Sequence, residues 1–297
     1  MVYGETLPEA WEQAVLATLT FGTTIPTEYD QSVDPESRDS TMMIVISNPL
    51  QEPRIHKALP CGYDDLEIYR QEVVNGVHDS NVRGRGWSYS YHDRIFNWPG
   101  IGSWDKLEQV VEKEINFPMT DQINQIILNL SDTPHSRRSQ AITWVPWIDM
   151  KHHEPPCLQR IWCRVVKSSS DYLLEMNTHW RSRDAYKACF MNMFALTDLQ
   201  REIAERISIV SGENVLPGRY IDISDSFHIY GSYIRKGEME LFVESVSNLP
   251  FDKRVVRSDK PSIIKEFERG RRKLENEKIV NEKVIKQMVM ETLINAK

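Results

Sequence analysis

Apolar residues recur at four-residue steps near the start of the chain. Leu7, Trp11, Val15 and Leu19 form one stripe and predict a helix over residues 7–20, with Pro8 in its first turn, where a missing N–H is tolerated. Residues 22–40 are polar and carry Gly, Pro, Asp and Ser, the pattern of a loop. The run Thr41-Met42-Met43-Ile44-Val45-Ile46 predicts a buried strand. A helix is expected over residues 63–76, ending at Gly76. The aromatics of Trp87 to Phe96 alternate, as in a strand or an irregular segment. Residues 104–130 have helical patterns interrupted at Pro118. Strands are predicted at 141–145, 161–166 and 172–177. A long helix follows over 189–212, with Phe190, Phe194, Leu199, Ile203 and Ile207 near one face and Gly212 as its stop. Residues 219–233 read as a further strand region. From Ile263 to Leu293 the chain is helical and highly charged, and Ile264, Phe267, Leu274, Val284 and Met288 supply a face for the body or for a partner. The pattern has no internal repeat and no flexible linker. It describes an α+β fold, a mixed β-sheet with helices packed on it, with residues 1–250 as the body and 251–297 as a helical C-terminal extension.

Composition narrows the classes of function. Of 297 residues, 40% are hydrophobic and 27% charged, enough for a full core. A formal charge of −7 disfavours a general nucleic-acid or membrane-surface role, and the basic residues fall in short groups that suit a small anionic ligand. The amino terminus lacks the basic-then-apolar order of a signal peptide. No stretch approaches the ~18 apolar residues of a membrane span. Cys61, Cys157, Cys163 and Cys189 are irregularly spaced and form no disulfide framework, so the expectation is a reduced, cytoplasmic protein. A Gly-rich phosphate loop and a dinucleotide fingerprint are both missing.

Chemistry concentrates around Cys157, in Glu154-Pro155-Pro156-Cys157, with Arg137-Arg138 upstream and Arg181-Ser182-Arg183-Asp184 downstream. Cations nearby lower a thiol's pKa and make it a nucleophile, and Arg160, Arg164 or the other clusters are candidates for that field. The plainer reading is a buried small apolar residue. Guanidinium groups bind phosphate through paired hydrogen bonds, so the arginines suggest a phosphorylated substrate if they act together, and solvated surface charges if they do not. His152, His153, Cys157 and Cys163 are a competing zinc set, but their spacing matches no usual ligand pattern.

The order of these segments resembles the thymidylate synthase family, which includes the pyrimidine-nucleotide hydroxymethylases. The family pattern runs Ser-Arg-Arg, Pro-Cys, Arg-Ser-x-Asp, an Asn eight residues on, and His-x-Tyr. Here these are Ser136-Arg137-Arg138, Pro156-Cys157, Arg181-Ser182-Arg183-Asp184, Asn192 and His228-Ile229-Tyr230. An upstream arginine loop, Ser37-Arg38-Asp39-Ser40-Thr41, and Tyr91 in YSYHDR also fit. The likeness spans residues 5–235, is most specific from 136 to 230, and is closer to the short archaeal-type members. There are departures: Leu158 replaces the usual His after the cysteine, the Gly-Asp before His-x-Tyr is displaced, Lys187 to Asn192 differs from Leu-Gly-x-Pro-Phe-Asn, and the apolar closing tail is not recognisable.

The resemblance implies a homodimer that methylates dUMP. Cys157 would attack C6 of the uracil ring and activate C5 toward the one-carbon unit of 5,10-methylenetetrahydrofolate or a related reduced pterin, without a metal. It implies phosphate binding by Arg38, Arg181 and Ser182, with Arg137 and Arg138 reaching over from the second subunit, and sugar contacts from His228 and Tyr230. Asn192 would pair with O4 and N3–H, favouring uracil over cytosine. Glu72, with Glu67 second, would be the acid–base carboxylate, Tyr91 a further catalytic group, and Asp184 and Trp87 the pterin contacts. A hydroxymethylase acting on UMP, dUMP, CMP or dCMP and a non-catalytic nucleotide-binding dimer are the alternatives.

Overall fold

A computed structural model describes residues 1–84, 87–100, 119–169 and 171–295, and their side chains, apart from 83–84, as far as residue 278. The elements run in the order β1 (Val2–Gly4), α1 (Leu7–Phe21), β2 (Thr23–Ile25), β3 (Ser37–Ile46), β4 (Ile55–His56), α2 (Tyr63–Asn75), α3 (Asp79–Gly84), α4 (Tyr91–Phe96), α5 (Gln122–Asp132), β5 (Gln140–Ile142), α6 (Pro146–Asp149), β6 (Leu158–Lys167), β7 (Tyr172–Asp184), α7 (Cys189–Ser211), β8 (Val215–Ile229), α8 (Gly231–Arg235), α9 (Glu238–Asn248), α10 (Phe251–Arg254), β9 (Val255–Val256) and α11 (Pro261–Asn295). The fold is α+β, as the sequence pattern implies.

The main sheet has strand order β1-β3-β8-β7-β6-β5, and β2 pairs with β3. β1 and β3 are parallel, as are β7 and β8; the other pairs are antiparallel. A parallel pair needs a long crossover, and α7 supplies it between β7 and β8. Its apolar face, Phe190, Phe194, Leu199, Ile203 and Ile207, is fully buried on the sheet. Gln200 on the same face donates to the carbonyls of Leu174 and Gly218, beside a register shift between Leu174 and Met176. That bond satisfies backbone groups the disturbed ladder leaves open.

One face of the sheet is the core. Met176, Thr178 and Trp180 on β7 and Tyr220, Asp222 and Ser224 on β8 are buried, and the residues between them stay half-exposed, the period-two alternation of a strand. Trp11 on α1 is fully buried, and its indole N–H donates to the carbonyl of Ala185 at 2.9 Å, which ties the first helix to the turn between β7 and α7. The C-terminal segments are fastened to this body. Arg254 and His56 share the buried Glu12 carboxylate, β9 pairs with β4, and α11 lies along α2 with Arg269 and Lys273 on Asp64.

Several local expectations change. The polar stretch 22–40 contains β2 and the first residues of β3, because hydrogen bonds along the sheet edge offset its low strand propensity. The aromatic alternation of residues 87–96 ends in helix α4, whose first turn is capped by the Ser90 hydroxyl accepting from Asp93 N. β8 stops at Ile229, so Gly231 to Tyr233 is helical instead of strand. Gly231 is required there: a Cβ would fall 1.6 Å from the carbonyl oxygen of Pro35. The expected helical pattern of residues 104–118 lies outside the described residues.

Candidate active site

Cys157 immediately precedes β6, and its thiol faces a cavity of about 410 Å³. Its backbone carbonyl accepts from Arg181 N at 2.9 Å, so pairing between β6 and β7 sets the two residues side by side. Arg181 then folds back over the Pro-Pro-Cys turn: Nε donates to Pro156 O at 3.1 Å, Nη2 donates to Pro155 O at 2.7 Å, and Nη2 lies 3.7 Å from Sγ of Cys157. The turn is thus held by the same guanidinium that faces the sulfur. Burial pushes the thiol above its ordinary range, and Arg181 and Arg183 pull against that shift. Arg160 and Arg164 do not act on it. Arg160 is exposed, and Arg164 pairs with Glu175.

Ser182, Asp184, Asn192, His228, Tyr230 and Tyr91 line the same cavity. Asp184 closes the β7–α7 turn by accepting from the backbone N–H groups of Tyr186 and Lys187, and its other oxygen accepts from Tyr233 OH at 2.6 Å. His228 is paired in register with Asp39 on one side and Asp184 on the other. Burial lowers its pKa, and its Nε2 has no hydrogen-bond partner among the described residues. A buried ring nitrogen without a partner fits a ligand hydroxyl. Asn192 on the first turn of α7 donates to the hydroxyl of Tyr69 on α2.

Other expected residues lie outside the cavity lining. Arg38 is turned toward β2, with Nη1 2.6 Å from Thr24 Oγ1. Arg137 and Arg138 are exposed before β5, and neither guanidinium has an ion-pair partner among the described residues. Glu67 is fully buried between Arg70 and Arg271. Glu72 is one helical turn beyond Tyr69; burial raises its carboxyl above the ordinary glutamate range, opposed by a 2.7 Å hydrogen bond to His78. Trp87 is 40% exposed and packs edge-on against the His78 ring at 5.6 Å. Among the described residues no group of three or more His, Cys, Asp and Glu could hold a metal ion; His152 and His153 follow α6, and His153, unlike the residues above, lines the cavity.

Arg183, Tyr69 and Tyr29 also line the cavity, and the buried Asp222 pairs with Arg183 behind it; the sequence reading assigned no role to Tyr69, Tyr29 or Asp222. Asp222 left a trace, as an acidic residue at an inward position of β8. Tyr29 belongs to the loop 26–36, which is pinned where Gly231 N donates to Ser37 Oγ and Ser37 Oγ donates to Asp30.

A model of the family described as thymidylate synthase matches residues 81–286, more than half of the chain. A protein of Methanosarcina barkeri named "Putative thymidylate synthase" is 26% identical over 230 residues, covering 77% of this chain and 89% of its own length. A protein of the same name from Methanocaldococcus jannaschii is 28% identical over 226 residues, covering 74% and 86%. Thermostable thymidylate synthase A from Bacillus subtilis superposes with a TM-score of 0.54 at 19% identity, over 79% of this chain and 84% of that one, a likeness of fold. No helix among the described residues is long and apolar enough to cross a membrane.

Proposed function

The chain belongs to the thymidylate synthase family, a family of one-carbon transferases, and from that premise we propose that it methylates C5 of dUMP through a covalent bond between Cys157 and C6. The observation that carries this reading is the convergence on one cavity of the Cys157 thiol, the Arg181 guanidinium 3.7 Å from it, and the polar groups of Asn192, His228 and Tyr230.

In this reading Arg181 has two tasks. It stabilises the thiolate as the sulfur gives up its proton, and it presents its remaining N–H groups, with Ser182, to the phosphate. Addition of the thiolate to C6 leaves an enolate across C4 and C5, so C5 becomes the nucleophilic carbon. Asn192, held by Tyr69, recognises the O4 and N3–H edge. The Nε2 of His228, without a partner among the described residues, and the hydroxyl of Tyr230 take the sugar hydroxyl. Glu72, with its raised pKa, takes up the proton lost from C5 and passes it on to solvent. Asp184 at the cavity and the exposed indole of Trp87 beside His78 are the groups that would contact a polar, flat pterin. A methylene-charged reduced folate supplies the one-carbon unit when bound.

Arg137 and Arg138 are exposed, and neither guanidinium has an ion-pair partner among the described residues. A two-fold dimer pairing the half-exposed sheet faces would bring these arginines to the partner's phosphate site.

Incubating the protein with C5-tritiated dUMP and methylenetetrahydrofolate tests the reading. Tritium release and a methylated nucleotide by mass spectrometry are expected, both lost in Cys157→Ala. A hydroxymethyl product without dihydrofolate would overturn the methyl assignment, and a parent protein that releases no tritium would overturn catalysis on dUMP.

A further inference from the structure

The C-terminal helix reaches the carboxylate assigned to proton transfer. Glu72 Oε1 lies 2.7 Å from Nδ1 of His78, and Nε2 of the same ring lies 3.1 Å from Oε2 of Glu277 on α11. The solvent end of the trio is Glu277: its side chain is 48% exposed, against 22% for Glu72 and 15% for His78. Trp87 packs on the imidazole at 5.6 Å and holds its plane.

This contact is not what fastens α11. Asp64 with Arg269 and Lys273, and Glu67 with Arg271, already clasp α11 to α2 at 2.6–3.0 Å. Other titratable groups near the trio are accounted for. Tyr69 precedes Glu72 on α2 and is bonded to Asn192, Asp79 is bonded to His92 and Ser90, and Lys273 on α11 is turned to Asp64. The imidazole is therefore the one group among the described residues that bridges Glu72 and Glu277. An imidazole accepts at one nitrogen and donates at the other near neutral pH, which suits it to pass a proton between two carboxylates.

We propose that His78 and Glu277 are positioning residues that hold Glu72 and exchange its proton with solvent, so that α11 completes the acid–base centre. The proposal rests on the assignment of Glu72 in the preceding reading. Protons and charge balance. Protonated Glu72 gives its proton to Nδ1 as Nε2 gives one to Glu277; Glu277 releases it to water; the imidazole ends neutral in its other tautomer.

The test is the pH profile of tritium release in Glu72→Gln, His78→Gln, Glu277→Gln and His78→Ala. Glu72→Gln identifies the limb that belongs to Glu72 by abolishing it. Glu277→Gln removes a negative charge that favours protonation of Glu72, and moves that limb to lower pH by roughly half a unit or more. His78→Gln removes the hydrogen bond that favours the carboxylate, and moves it the other way. His78→Ala loses about tenfold in rate and regains it with added imidazole. Slower variants with an unmoved limb and no imidazole rescue would reduce His78 and Glu277 to structural support and overturn the proposal. An unchanged profile in Glu72→Gln would instead remove the assignment of Glu72, and the proposal with it. A readout without turnover runs alongside: the pH dependence of Trp87 fluorescence, taken as the difference between the parent and Trp87→Phe. Its inflection moves in Glu277→Gln if the charge of Glu277 acts on Glu72 across the imidazole, and a fixed inflection would overturn the proposal even where no tritium is released.

Discussion

Arg183, in the lining of the cavity, meets the buried Asp222 at 2.6 Å, with side chains at most 1% exposed. Asp222 Oδ2 also accepts from Thr178, Trp180 and Tyr220, and the Arg183 guanidinium lies over the Trp180 ring, 3.8 Å from its centroid. Buried charges are expensive to desolvate and persist where partners saturate them. This pair holds a cation close enough to Cys157 to act on the thiol while keeping it almost fully buried.

Breaking the pair from the acidic side strands the arginine. Asp222→Ala is expected to destabilise the protein by about 3–5 kcal/mol, the usual cost of an orphaned buried charge. Urea unfolding checks it: the midpoint falls with an unchanged slope. An unmoved midpoint would mean that water reaches Arg183 and the pair contributes little.

The Cys157 thiol is set by opposing effects, burial raising its pKa and two guanidiniums lowering it. Its alkylation by iodoacetamide therefore rises with pH, with a midpoint above that of an ordinary thiol. Arg181→Ala shifts the midpoint further upward. Arg38→Ala leaves it in place, since Arg38 is turned to Thr24. Equal shifts in both variants would contradict the geometry.

The proposed reading of the ring edge by Asn192 predicts a change of base. Asn192→Asp replaces a donor with a second acceptor, which suits the amino group of cytosine. The ratio of kcat/KM for dCMP over dUMP is expected to rise by about a hundredfold or more, because a site built to hydrogen-bond one edge rejects the other strongly. Competition between the two nucleotides in one reaction measures it. Tyr69→Phe frees the Asn192 amide and weakens discrimination without inverting it.

The clasp between α2 and α11 gives a pH dependence of known sign. Hydrogen bonds from Arg269 and Lys273 hold the Asp64 carboxyl well below the usual carboxylate range. A carboxyl depressed in the folded state contributes stability above its unfolded pKa of about 3.9, and the contribution is lost as pH falls through the folded value. Asp64→Asn is thus expected to lower the urea midpoint at pH 7, and the gap to the parent closes as the solution becomes strongly acidic. A gap independent of pH would assign the effect to packing.

By itself the sequence determined the elements whose period is long and apolar, and the order of the motifs. The helix from Cys189 was legible because Phe190, Phe194, Leu199, Ile203 and Ile207 repeat at helical spacing and Gly212 ends it. The Cys157, Arg181, Asp184 and Asn192 set was legible because the motif spacing follows the strand–turn–helix that carries it. Helix α4 and strand β2 were obscured, because a capping serine and edge pairing outweigh local propensity there. Only the tertiary structure decided the rest of the site. Tyr69 meets Asn192 across 123 residues of chain, Arg183 meets Asp222 across 39, and His78 meets Glu277 across 199. Such partners are chosen by packing between distant elements: desolvation makes each buried polar group demand a partner, and only the folded chain determines which one lies within hydrogen-bond distance.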